Sequence, residues 1–228
     1  MEPSQTRDVP QLVLASSSPA RRSLLTELGI NLQVKAMDVN ETAHEGESPE
    51  DLVVRLALDK ATAAARTLGI TAKVGGVSPA KTQISAVVVG ADTMATVDGS
   101  VLGKPDGDVM ATEMLSMLSG RSHLIHTGVA VHTGGAFVTG LDTTEVWFRS
   151  LGADEINQYV AAGESQGRAG AYGIQGRASL FVDRIHGSFS GVVGLPLALV
   201  ESLLVGLGQS LTNWMETTDA RQVGGRGD

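Results

Sequence analysis

The segment Ile84-Ser85-Ala86-Val87-Val88-Val89-Gly90 limits the possible folds more than any other stretch of the chain. Its apolar, β-branched residues lack the alternation of a strand with one wet face, so they read as a strand covered on both sides. Such a strand needs helices on each face of its sheet, and candidate helices flank it. One is capped by Ser18, enters through Pro19, carries Leu24, Leu25 and Leu28, and stops at Gly29. A second opens at Ser48-Pro49-Glu50-Asp51 and runs to about Leu68 before Gly69. Further helices are expected over 108–118, 154–162 and about 196–207. Strands are expected at 12–15, 124–132, 137–148 and near 180–182, with a hairpin turn at Asp98-Gly99. Strands and helices alternate without strict βαβ repetition, which predicts an α/β fold: a mixed, twisted β-sheet flanked by helices.

The length of 228 residues suits one domain. Residues 11–215 form the expected body, residues 1–10 and 216–228 read as loose tails, and the Gly- and Pro-containing stretch 72–81 reads as a surface loop. With 17 Lys+Arg against 25 Asp+Glu, the formal charge is −8, which argues against a polymeric nucleic acid as partner. The absence of cysteine removes a disulfide scaffold, a thiolate nucleophile and any Cys-containing zinc site. No apolar run approaches about 20 residues and the polar start holds no signal-like core, so the expected location is the cytoplasm, away from membranes.

Asp92 is the sharpest single feature. A carboxylate directly after a buried strand sits where open α/β sheets present ligands, and there it can hold a hard cation or activate water. The same residue would serve equally as a cap for the following turn, and spacing alone does not decide. Lys60 lies four residues from both Leu56 and Ala64, on the stripe of its helix meant for burial. It either reaches a cleft or lets its ammonium escape to water. Lys104, between Gly103 and Pro105, is either a phosphate-binding charge or an exposed loop lysine. The turn Ser16-Ser17-Ser18 with Arg21 offers hydroxyls, free backbone N–H groups and a guanidinium to an anion, whereas capping alone accounts only for Ser18.

Several other motifs fail on chemistry. Gly99 to Pro105 has three spacers and a proline where a P-loop needs four and Ser or Thr. Gly187-Ser188-Phe189-Ser190-Gly191 puts Phe at the place of a nucleophile. His44, His123, His126, His132 and His186 form no metal-binding pattern and are expected to be structural or surface residues. The segment Gly170 to Gly176 is too generic for a dinucleotide fingerprint, and the residues after it look like a strand.

Seven blocks taken in order, Leu14-Ala15-Ser16-Ser17-Ser18-Pro19-Ala20-Arg21, Val54-Arg55-Leu56-Ala57-Leu58-Asp59-Lys60-Ala61, Gly90-Ala91-Asp92-Thr93, Leu102-Gly103-Lys104-Pro105, Thr144-Glu145-Val146-Trp147-Phe148, Ala169-Gly170-Ala171-Tyr172-Gly173-Ile174-Gln175-Gly176 and Val193-Gly194-Leu195-Pro196, closely resemble the Maf family of nucleoside triphosphate pyrophosphatases. The resemblance spans about residues 12–207. It implies an inosine-triphosphatase/Maf-like fold with a cleft between two lobes, and a cytoplasmic homodimer. It further implies a metal-dependent nucleoside triphosphate diphosphatase that cleaves the α–β bond of an NTP to NMP and pyrophosphate with Mg2+ or Mn2+. Carried onto this chain, it implies Ser16, Ser18 and Arg21 as phosphate contacts, Gln175 as a base contact, Lys60 and Lys104 as catalytic cations, Asp92 as the catalytic carboxylate, and Glu41 with Asp92 as metal ligands. Tyr172-Gly173-Ile174-Gln175 looks like the dTTP/UTP subgroup. Two places depart from that subgroup's pattern: Ala20 stands for the first of two arginines, and Gly167-Arg168 for Asp-Lys. A second reading, drawn from the family's link to septum formation, is a nucleotide-binding regulator of cell division that turns nothing over.

Overall fold

The computed structural model of the chain describes residues 9–70 and 85–215. The loop expected at 72–81 and most of both expected tails lie outside those residues. A seven-stranded sheet forms the centre, in the order β2-β1-β3-β5-β6-β7, with β4 attached to β3. The strands are β1 (Gln11–Leu14), β2 (Gln33–Val34), β3 (Ala86–Val97), β4 (Ser100–Leu102), β5 (Ser122–His132), β6 (Phe137–Phe148) and β7 (Val182–His186). β1 pairs parallel with β2 and β3; every other pairing is antiparallel. The helices are α1 (Pro19–Thr26), α2 (Pro49–Thr67), α3 (Asp108–Leu118), α4 (Ala153–Ala161), α5 (Phe189–Val193) and α6 (Leu197–Gly206).

Local chemistry explains the helix starts. Ser18 Oγ accepts from Arg21 N with Pro19 at the first helical position, and Ser48 Oγ both accepts from Asp51 N (3.1 Å) and donates to Asp51 Oδ2 (2.8 Å). Three apolar clusters then divide the core. Leu12, Leu14, Val87, Val89 and Ala91 pack toward Leu195, Val200 and Leu204, while Val13, Val88 and Ala130 pack under Ala57, Ala61 and Ala64 of α2. The third gathers Ala95, Val97, Leu102, Leu115, Phe148, Tyr159 and Tyr172 around α3 and α4. The first two clusters lie on opposite faces of β1 and β3 and make one lobe, the third makes a second lobe around β4, and the sheet runs through both.

Three expectations need correction. The strand placed near 180–182 is Val182–His186, and residues Arg177–Leu180 form a 3-10 turn with Leu180 exposed. The strand-like reading of the residues after Gly176 fails with it, because β7 begins only where backbone pairing with Phe148 becomes available. Asp92 does not end its strand. β3 runs on to Val97 because, after Val89, its pairing with β5 continues unbroken to Thr96 while its other edge changes neighbour.

Candidate active site

That change of neighbour creates the site. On one edge, β3 pairs with β1 from Ala86 to Val89 and with β4 from Ala95 to Val97. Between them, Gly90 to Met94 have no strand beside them, and the chain leaving β1 and the chain leaving β4 both head into this gap. β1 delivers Ser16 to Arg21; β4 delivers Lys104. A cavity of about 850 Å³ fills the gap, and its lining includes Ser16, Ser18, Arg21, Glu41, Lys60, Asp92, Lys104 and Gln175. All eight residues singled out from the sequence therefore meet at one place.

The approach of α2 to the sheet sets the geometry on the carboxylate side. A Cβ on Gly90 would collide with Ala57 O and lie 3.0 Å from Ala61 Cβ, so only glycine lets the helix backbone sit this close. Asp92 is two residues on and shares the face of Gly90. Lys60 projects from the same helix over Asp92: its Nζ donates to Asp92 Oδ1 (2.6 Å) and to Glu41 Oε1 (2.8 Å). The Lys60 and Asp92 side chains are only 12% and 13% exposed, while Glu41 is open at the rim at 54%. Snorkelling to bulk water is thus excluded for Lys60. The hydrogen bond from Lys60 holds the Glu41 carboxyl below the usual carboxylate range, aided by the charges of Lys60, Lys104 and Arg21. Lys104 is exposed in a loop, as one of its two alternatives has it, and it also lines this cavity and acts on Glu41.

The serine turn is organised from behind. Arg21 is buried and donates through Nε to Gly194 O (2.7 Å), through Nη1 to Ser16 Oγ (3.0 Å) and through Nη2 to Thr93 Oγ1 (2.9 Å). Burial pulls its basicity down, opposed by Asp92 and Glu41, and the group remains a fixed cation behind the turn. Ser16 Oγ also accepts from Ser18 N (3.2 Å), so the hydroxyls of Ser16 and Ser18 act as acceptors toward the protein and keep their protons to donate. Asp38, Thr93, Tyr172 and Arg168 also line the cavity; sequence reasoning passed over Asp38, and named the other three within motifs without giving them a role. Thr93 was findable as the neighbour of Asp92 on the opposite face; Asp38 lies in irregular chain with no periodic signal. Tyr172 is anchored by His123, whose Nε2 lies 2.7 Å from its Oη.

The oxygen donors fit a hard divalent cation. Two carboxylates converge on one ammonium, which marks a point that favours positive charge, and carboxylate with phosphate oxygen and water is the donor set magnesium prefers. Among the described residues no group of three or more His, Asp or Glu is arranged to hold a metal by protein ligands alone, so a cation here would share its shell with a bound anion.

A cleft at a sheet gap, with a helix N-terminus on one wall and paired carboxylates on another, defines an α/β protein made to receive a small, multiply charged anion. Comparison with known proteins narrows the class. The chain belongs to the Maf family: the family model described as Maf-like protein matches residues 11–207. It is 42% identical over 198 residues to a protein of Methylococcus capsulatus, covering 87% of this chain and 91% of the relative. It is 44% identical over 196 residues to one of Moorella thermoacetica (85% and 93%) and 41% identical over 220 residues to one of Aromatoleum aromaticum (92% and 100%). All three relatives are named dTTP/UTP pyrophosphatase.

Proposed function

We propose that the chain is a nucleoside triphosphate pyrophosphatase that hydrolyses the α–β bond of an NTP to NMP and pyrophosphate, with dTTP and UTP as its substrates. The observation that carries this is the Lys60 ammonium held between Glu41 and Asp92 in the cavity that also receives the serine turn and Lys104. The names of the relatives supply the substrates. A regulator that only binds nucleotide has no need of this buried charge cluster, and none of the three relatives carries a regulator's name.

The triphosphate lies along the gap, its phosphates against the hydroxyls of Ser16 and Ser18 and the free N–H groups at the start of α1. Asp92, fixed through Oδ1 by Lys60, uses its other oxygen to orient a water and take its proton as the water attacks the α-phosphorus. The bond from the α-phosphorus to the bridging oxygen breaks, and the electron pair leaves with pyrophosphate. Lys104 and Arg21 offset the charge that builds on the leaving group. Glu41 and Asp92 would hold Mg2+ or Mn2+, which supplies Lewis-acid polarisation of the phosphoryl oxygens when bound. The family further supports a homodimer working in the cytoplasm; among the described residues no helix is long and apolar enough to cross a membrane.

The test is pyrophosphate release from a panel of NTPs with magnesium or manganese, run on the wild type and on Asp92→Asn. The variant is expected to keep its fold and its affinity for NTP and to lose about 10²–10⁴-fold in turnover. Unchanged turnover would refute the role of Asp92, and no pyrophosphate from any NTP would refute the activity.

A further inference from the structure

Residues 36–47, which carry Glu41, contain no helix or strand, and Ala36, Asp38 and Glu41 form part of the cavity wall. Holding irregular chain of this kind in one place costs conformational entropy at every residue. Lys60 grips the segment at Glu41 Oε1, but a pair with one partner half exposed contributes less than the ordering of a single residue consumes. Met37 packs at the edge of the core beside α2. Among the described residues, the other side chain of α2 that holds the segment is Arg55.

Every nitrogen of its guanidinium is engaged. Nε donates to Glu47 Oε1 (2.6 Å), Nη2 to Glu47 Oε2 (2.9 Å) and to Thr42 O (3.0 Å), and Nη1 to Asp59 Oδ2 (3.3 Å). Thr42 directly follows Glu41. Glu47 is a prepared anchor: its Oε2 also accepts from His44 N (2.9 Å), its N donates to His44 O (3.1 Å), and Gly46 turns the chain between them with a φ of +75°. The Glu47 side chain is only 9% exposed, so this two-pronged pair is shielded where the Glu41 pair is not. Arg55 and Lys60 stand five residues apart on α2, about 7.5 Å along its axis. One fixes the backbone beside Glu41, and the other meets its carboxylate.

We propose that Arg55 is a positioning residue: with Glu47 it clamps residues 36–47 onto α2 and so presents the Glu41 carboxylate to Lys60 and to a cation bound with the triphosphate. Arg55 itself does not line the cavity. The proposal rests on the nucleotide reading above and deepens it.

The experiment compares wild type, Arg55→Met, Arg55→Lys, Glu47→Gln, Glu41→Gln and the double variant Arg55→Met/Glu41→Gln. Arg55→Met is expected to lose about 10- to 100-fold in kcat/KM for UTP and to need correspondingly more Mg2+ for half its activity, the scale of losing the support behind a metal ligand. In the Glu41→Gln background the same change should cost less than about threefold, because the carboxylate it positions is gone. Arg55→Lys keeps the charge without the fork and should recover little. Glu47→Gln weakens the clamp without altering α2 and should shift the same way as Arg55→Met by a smaller factor. Amide exchange, read by NMR on the protein without nucleotide or metal, is independent of turnover. Thr42, His44 and Glu47, whose N–H groups are bonded within the segment, should exchange at least about 10-fold faster in Arg55→Met while β3 and β5 keep their protection. Losses that multiply in the double variant, full rescue by lysine, or unchanged exchange in the segment would each overturn the proposal. So would lost protection spreading to β3 and β5 in both Arg55→Met and Glu47→Gln, since the pair would then stabilise the fold at large. A wild type that hydrolyses no NTP would sink the enzymatic reading alone, because exchange in the segment still reads the clamp directly.

Discussion

Lys60 is the residue on which the site's charge balance turns. Two carboxylates share its ammonium, so replacing it with the similarly long but neutral methionine leaves Asp92 and Glu41 facing each other unneutralised. Lys60→Met is expected to cost about 10²–10³-fold in kcat/KM, comparable to removing one preorganised electrostatic contact. The pH profile gives a second readout. The hydrogen bond from Lys60 is the largest influence depressing Glu41, so its removal raises that carboxyl toward its ordinary value. The acid limb of the residual kcat/KM profile should accordingly move to higher pH, whereas a merely unfolded fraction would lower the profile without moving it. His123 carries a different pH signature, one of stability. Buried under Tyr172 with no partner for Nδ1 among the described residues, it is pushed down to about 4 by desolvation. Between its ordinary value of 6.5 and about 4, the unfolded chain binds a proton that the native chain refuses, so stability falls as pH drops through that window. Urea unfolding from pH 7 to pH 4 should show the wild type losing about 3 kcal/mol that His123→Gln does not lose, whatever the starting stability of the variant.

At the scale of elements, the contact of α2 with β3 sets the distance from Lys60 to Asp92. Gly90→Val tests it against the intrinsic preference of strands, which favours valine. A side chain at position 90 must displace the α2 backbone at Ala57, and the expected cost is about 1–3 kcal/mol in a denaturant midpoint. The displacement also moves Lys60 away from Asp92, so turnover should drop by about 10²-fold or more, the cost of a misplacement near 1 Å. A stabilised, fully active variant would mean that the helix does not rest on this strand. The helices themselves were legible in the chain because their signals are local: Ser18-Pro19, Ser48-Pro49 and the apolar spacing of 108–118 act within a turn or two. The β5 and β6 pair was legible across Gly134-Gly135 for the same reason. The length of β3 was not, since nothing in Thr93-Met94-Ala95-Thr96-Val97 announces that the strand exchanges one neighbour for another. Nor was α5, whose five residues owe their helical turn to Ser188 Oγ accepting from Gly191 N and to packing above β5. Asp92, Lys60, Lys104, Arg21 and the serine turn could be picked out by type and position, whereas Glu41 and Gln175 came only from the resemblance, which also supplied the roles of them all. Their convergence depends on sheet order, which only long-range pairing decides.

The whole molecule is closed by contacts between its distant parts, and the site lies where they meet. Trp214 Nε1 donates to Pro10 O, and Ile30 pairs with Met215, so the end of the described chain clasps its beginning. Arg21 makes the corresponding tie inside: one guanidinium joins the turn after β1, the middle of β3 through Thr93, and Gly194 O, 173 residues along. Thr93 passes the linkage on, its Oγ1 lying 2.9 Å from Thr127 Oγ1, which in turn donates to Gly191 O (2.9 Å). Charge and connection can be separated here because lysine supplies the first and only part of the second. Arg21→Lys keeps a cation behind the serine turn, but a single ammonium on a shorter reach cannot serve three acceptors in three directions. Buried acceptors left without donors cost about 1–3 kcal/mol each, partly recovered by the new ammonium, so a net loss of about 2–4 kcal/mol is expected. For a domain of this size that corresponds to a Tm lower by about 5–15 °C. If Arg21 served the site only through its charge, the lysine variant would keep both its Tm and its turnover. If it builds the site, Tm falls, and KM for the triphosphate rises with it, because the serine turn loses the group that orients Ser16.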